Sequence, residues 1–149
     1  MRLYREYYAA KGIFENKVYP GIPHLLKKCR EQGKKVILAT SKPEVYAKQI
    51  LEHFKLAEYF DDIQGSSMDG SKIQKEDVIQ SALLDNGITD MQEVLMIGDR
   101  KHDVIGSGKF GISCVGVLYG YGSREELEMC GAKWITDTVE DLEAFLDRI

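Results

Sequence analysis

The sequence predicts an α/β protein built on a parallel sheet with helices on both faces. Short apolar runs, Val36-Ile37-Leu38-Ala39 and Val94-Leu95-Met96-Ile97, have the character of strands covered on two sides. Segments of helical periodicity lie between such runs, and their regular alternation implies right-handed crossovers and a parallel strand order. With 149 residues, 44% hydrophobic and 30% charged, the chain has the size and composition of one compact soluble domain.

The elements follow in order. Residues 2 to 19 stand apart, with an aromatic-rich segment over Arg2 to Lys11 that reads as a helix, then a connector. After Pro20-Gly21-Ile22-Pro23, the stretch to Gln32 places Leu25, Leu26 and Cys29 on one face, and Gly33 supplies a left-handed stop. Val36 to Thr40 is the first strong strand. Pro43 suits a first helical turn, and Tyr46, Ala47, Ile50, Leu51 and Phe54 form the stripe of a crossover helix. Asp61 to Gly65 fits a brief strand, and Lys75 to Asn86 a helix with Val78, Ile79, Ala82 and Leu83 inward. Thr89 to Gln92 offers a capping box for a short turn. Val94 to Ile97 is the second strong strand, His102 to Lys109 a short helix, and Ser113 to Val117 a third strand. Ser123 with Glu126 is a second candidate capping box, Trp134-Ile135 an edge strand, and Thr138 with Asp141 opens a last helix carrying Val139, Leu142, Phe145 and Leu146. This divides the chain into residues 1–19 and an α/β core over 20–149.

Composition excludes several classes of function. The 20 basic and 24 acidic side chains give a net charge of −4, and the lysines are scattered. A general nucleic-acid surface needs a basic stripe instead. Apolar runs of about five residues fall far short of the roughly 20 that span a bilayer, and the first residues have no secretory character. Cys29, Cys114 and Cys130 are odd in number and far apart, which suits reduced, packed thiols in a cytoplasm better than disulfides or zinc. Small-molecule chemistry is the leading class.

Ligands of open α/β sheets bind beyond the carboxyl ends of the strands. Two such ends are unusually polar. Ala39-Thr40-Ser41-Lys42-Pro43 places two hydroxyls and an ammonium between a buried strand and a helix N-terminus, a set that suits a phosphate but taken alone reads first as a helix cap with a surface lysine. Gly98-Asp99-Arg100-Lys101-His102-Asp103 places two carboxylates one helical turn apart. Their oxygens can converge on a hard cation such as Mg²⁺, or serve as a cap and a first-turn acid favoured by the helix dipole. Gly98 lets the backbone come close. Lys75, with Lys72 nearby, can reach over the sheet toward bound anionic charge or stay solvated. His24, His53 and His102 read as surface helix residues, and Met68-Asp69-Gly70 as a turn.

Thr40, Lys75 and the Asp99/Asp103 pair, in that order, resemble the second, third and fourth motifs of the haloacid dehalogenase-like (HAD) superfamily. The likeness extends to its phosphoglycolate phosphatase-like branch through Val18-Tyr19-Pro20-Gly21, the Thr40 and Asp99 segments, and Gly116-Val117-Leu118-Tyr119-Gly120-Tyr121-Gly122-Ser123. The resemblance implies a Rossmann-like core and hydrolysis of a small phosphorylated metabolite through an aspartyl-phosphate. It implies that Thr40, Ser41, Lys42 and Lys75 bind the phosphoryl group, with Lys72 the alternative lysine. Asp99 and Asp103 would hold Mg²⁺ directly or through water, making Thr40, Lys75 and Asp99 the catalytic set. A phospho-receiver domain uses similar residues in the reverse order, and a dinucleotide fold needs a glycine pattern that Gly116 to Gly122 lacks.

The family's first motif, a central strand ending in Asp-x-Asp-Gly, does not occur in these 149 residues. The resemblance therefore implies a fragment that starts in the last helix of the cap domain and is inactive alone, or a non-catalytic phosphate- and Mg²⁺-binding or protein-interaction module. Without the central strand, the edges ending at Thr40 and Ile97 face each other unpaired, at about 1–3 kcal/mol per buried polar group. They should close together, recruit another chain's strand, or fail to form a stable sheet. Tyr4, Tyr7, Tyr8 and Phe14 on an uncovered helix would offer a second route to self-association.

Overall fold

The structure is a computed structural model that describes residues 2–4 by their backbone, and residues 21–67, 69–70, 74–119 and 122–149 in full. Six strands form one parallel sheet: β1 (Arg2–Tyr4), β2 (Val36–Pro43), β3 (Asp62–Ser66), β4 (Leu95–Gly98), β5 (Ser113–Val117) and β6 (Trp134–Thr136). The helices are α1 (Ile22–Glu31), α2 (Glu44–His53), α3 (Lys75–Asp85), α4 (Lys101–Gly108), α5 (Arg124–Met129) and α6 (Val139–Asp147). Strand order is β3-β2-β1-β4-β5-β6.

Each central strand divides its side chains between two cores, as the period of two requires. Val36 and Leu38 of β2, Leu95 and Ile97 of β4, and Val115 and Val117 of β5 pack against α1, α2 and α6. The alternate residues Ile37, Ala39, Met96 and Cys114 pack against α3, α4 and α5. From β2 the chain steps outward to β3, then α3 carries it back across the sheet to β4. The order reverses between β1 and β4, so the carboxyl end of the sheet there, with β2 alongside, is the topological switch point where ligands of such sheets bind.

The predicted elements from α1 to α6 are present, most within one or two residues of the expected bounds. Ser123 and Thr138 cap α5 and α6, accepting from Glu126 N and Asp141 N, each at 3.1 Å. The short turn before β4 is capped by Asp90, whose carboxylate accepts from Gln92 N at 3.0 Å, and not by Thr89. Tyr46 does not join the buried stripe of α2: it is 43% exposed, and Ala47, Ile50 and Leu51 carry the packing. Trp134 is 37% exposed and rests on Phe145 with ring centroids 5.1 Å apart.

The main correction concerns the central strand. The sequence predicts a helix from Arg2 and no strand between β2 and β4, yet the backbone of Arg2–Tyr4 is a strand in that slot. Arg2, Leu3 and Tyr4 register with Val36, Ile37 and Leu38, and Leu3 and Tyr4 with Met96 and Ile97. The reason is the energetic one already given, with a different outcome: two buried edges need ladder partners, and the chain's own N-terminal backbone supplies them. β2 does not close on β4, because β1 lies between them. Tyr7, Tyr8, Phe14 and the rest of the expected helix and connector lie outside the described residues. Among the described residues no helix is long and apolar enough to cross a membrane.

Candidate active site

Strand β2 delivers Thr40 to the switch point, where it is buried. Thr40 Oγ1 accepts from Lys42 N at 3.2 Å, so the hydroxyl folds the following turn. The register with β3 shifts between Ala39 and Pro43, and Ser41 and Lys42 leave the flat sheet there. Ser41 is exposed and Lys42 half-buried.

Lys75 is the first residue of α3, yet its side chain is only 5% exposed. It passes across α4 where Gly106 leaves space, since a Cβ there would stand 2.9 Å from Lys75 Cγ. The ammonium donates to Ala39 O at 3.0 Å and lies 2.8 Å from Asp103 Oδ1. One buried cation thus ties the end of β2 to the start of α4. The alternative lysine, Lys72, lies outside the described residues.

Asp99 follows β4 and Asp103 occupies the first turn of α4. Both are buried, with Asp99 1% exposed and Asp103 fully covered. Asp103 Oδ2 accepts from Asp99 N at 3.1 Å and Arg100 N at 3.3 Å, closing the loop on itself. Gly98 permits this, because a Cβ there would overlap Asp103 Cβ. Beneath Asp103, Ser107 Oγ donates to its carbonyl at 2.8 Å. The Cys114 thiol is pushed up to about 12, chiefly by burial and then by the negative charge of Asp103, so it stays protonated and inert at neutral pH.

The four predicted residues therefore share one rim. Thr40 and Asp99 each stand two residues beyond Leu38 and Ile97, the partners of Tyr4 in β2 and β4, and Lys75 bridges their neighbours Ala39 and Asp103. A cavity of about 310 Å³ opens beside them, lined by Ser41, Gln74, Lys75, His102, Ile105 and Lys109 among others. Two residues that touch the Asp99 loop, Gly122 and Glu126, were not singled out for the site. Gly122 N donates to Asp99 O at 2.9 Å, and Glu126 Oε2 accepts from Lys101 N and Arg100 Nε, each at 3.0 Å. Their signal was the Ser123/Glu126 pair, which sequence reasoning assigned to its own helix.

The model of the family described as haloacid dehalogenase-like hydrolase matches residues 1–117. The chain belongs to this family. Among similar HAD relatives is a 5'-nucleotidase of Pseudomonas aeruginosa, 43% identical over 124 residues, covering 83% of this chain and 56% of the relative. A phosphoglycolate phosphatase of Vibrio parahaemolyticus is 27% identical over 140 residues, covering 94% and 61%. The solved structure of a "predicted phosphatase" from Clostridium acetobutylicum superposes with a TM-score of 0.90 at 50% identity, covering 94% of this chain and 64% of that one. The chain thus spans between half and two thirds of the length of these HAD proteins.

Proposed function

We propose that this chain carries the core of a Mg²⁺-dependent phosphatase for small phosphate monoesters. The observation that supports it most is the buried Lys75 ammonium, held between Ala39 O and Asp103 at the mouth of the switch-point crevice. Asp103 is the counter-charge that offsets the ammonium's burial, and in this reading a phosphoryl group arriving at the crevice is the second anion it faces. In this reading Thr40, Ser41 and Lys42 hold phosphoryl oxygens from one side and Lys75 offsets their charge from the other. Positioning and electrostatics do most of the work in phosphoryl transfer.

The donor set fits Mg²⁺. This ion takes one or two carboxylates, keeps several waters and accepts substrate phosphate oxygens. Asp99 is the ligand, while Asp103, whose oxygens face Lys75, Asp99 N and Arg100 N, acts through water and by bracing Asp99. When bound, Mg²⁺ would neutralise phosphoryl charge. The reduced Cys29, Cys114 and Cys130 suit a cytoplasmic setting.

Asp-x-Asp-Gly, which carries the nucleophile of the family reaction, is absent from these 149 residues. That favours a second reading, binding of Mg²⁺ and phosphate without hydrolysis, for the chain by itself. Incubation with a generic phosphate ester and Mg²⁺ separates the two. The expected result is a background rate alongside Mg²⁺-dependent phosphate binding by calorimetry. A Mg²⁺-dependent rate abolished by Asp99→Ala would show that another acid, such as Asp69, completes the site.

A further inference from the structure

Glu126 is the third residue of α5, where a capping-box carboxylate would return to the backbone N–H of Ser123. Half of that box is present, since Ser123 Oγ accepts from Glu126 N at 3.1 Å. The Glu126 carboxylate instead leaves its own helix. Its Oε2 accepts from Lys101 N and from Arg100 Nε, each at 3.0 Å. Lys101 opens α4, so its N–H is one of the first-turn donors with no partner inside that helix. One helix has lent its cap to another.

The same segment touches Asp99 itself. Gly122 N donates to Asp99 O at 2.9 Å, and a Cβ on Gly122 would overlap that oxygen. From the opposite side, Asp103 Oδ2 accepts from Asp99 N and Arg100 N. The main chain of residues 99–101 is therefore gripped by α4 through Asp103 and by the 122–126 segment through Gly122 and Glu126. Burial works against ionisation of Glu126, but the Arg100 guanidinium and the Lys101 N–H outweigh it and hold the carboxyl below its ordinary range.

We propose that Glu126 is a positioning residue for the Asp99 site, fixing the 99–101 main chain from α5 and so the aim of the Asp99 carboxylate at its cation. The metal half of this inference rests on Asp99 being a Mg²⁺ ligand, as proposed above. The grip on the main chain does not. Groups that orient a ligand from outside typically change metal affinity by about 10- to 100-fold when removed.

The test is amide hydrogen exchange and a Mg²⁺ titration, both followed by NMR, on the whole chain and on Glu126→Ala, Glu126→Gln and Glu128→Ala. Glu128 sits on the same helix and its carboxylate pairs with Arg124 at 3.5 Å, so its variant controls for loss of helix charge. In Glu126→Ala the metal-free amides of Asp99, Arg100 and Lys101 should exchange about tenfold faster, with Ile97 and Val115 in the core strands unchanged. The Mg²⁺ dissociation constant should rise by about tenfold or more. Glu126→Gln keeps an acceptor for Lys101 N but loses the charge facing Arg100, and should fall between. Exchange at residues 99–101 that stays within about twofold of the wild type, or an equal change in Glu128→Ala, would overturn the proposal. No Mg²⁺ response in the wild type would overturn the cation reading, an outcome told apart from failure of the grip because exchange is measured without metal.

Discussion

Lys75→Met removes the ammonium while keeping most of the stem that fills the passage beside Gly106. The side chains of Asp103, the partner left behind, and of Lys75 are only 1% and 5% exposed, so water cannot take over the lost interaction. Breaking one side of such a buried pair costs about 3–5 kcal/mol. In a domain of this size, where each kcal/mol shifts the melting point by roughly 2–4 °C, Tm should fall by about 6–20 °C. Thermal and urea unfolding at pH 7 measure the loss, and added salt should change it little because buried pairs are weakly screened. Combining the change with Asp103→Asn completes a double-mutant cycle, in which the double variant should be clearly more stable than the sum of the singles. A loss below about 1 kcal/mol in Lys75→Met, or singles that add within about 0.5 kcal/mol, would refute the buried bridge and with it the main support for an anion site.

Two further outcomes follow. Gly98→Ala places a methyl on Asp103 Cβ, and it should destabilise by about 1–3 kcal/mol as an overpacked site does, while weakening Mg²⁺ binding in calorimetry. Cys114, buried and pushed up to about 12, should resist a thiol reagent at pH 8 while the partly exposed Cys130 reacts. Because the folded thiol holds its proton more tightly than the unfolded one, its contribution to stability persists up to about pH 9 and is lost as pH rises toward 12. Urea midpoints across that range check the sign.

Much of the architecture was legible because burial on both faces writes itself into composition: Val36 to Ala39 and Val94 to Ile97 have no polar residue to spare, and they supply most of β2's buried half and of β4. The site was legible for a related reason, since polar residues immediately after such runs can only be at the sheet's carboxyl end. Gly98 could be read as a close approach, and the turn it serves is built on Asp103. Lys75 could not be separated from Lys72 by sequence, and what the sequence could not show of Lys75 is the gap that Gly106 leaves for its side chain in a different helix. β1 was missed because three residues, Arg2-Leu3-Tyr4, are too few to show a period, and their strand form is dictated by the edges of β2 and β4. Tyr46 was misplaced because helical spacing marks a stripe without saying where the neighbouring layer ends. Glu126 was noticed for its local spacing and misassigned, since the N–H it serves belongs to a residue 25 positions earlier.

Titration calorimetry with orthophosphate, in the presence and absence of Mg²⁺, tests most directly whether Thr40, Lys75, Asp99 and Asp103 form one site. Phosphate should bind the wild-type chain more tightly when Mg²⁺ is present. Asp99→Asn should remove the Mg²⁺ effect, and Thr40→Val should weaken phosphate binding with Mg²⁺ binding retained. Phosphate heats that are the same with and without Mg²⁺, and the same in all three proteins, would contradict the account.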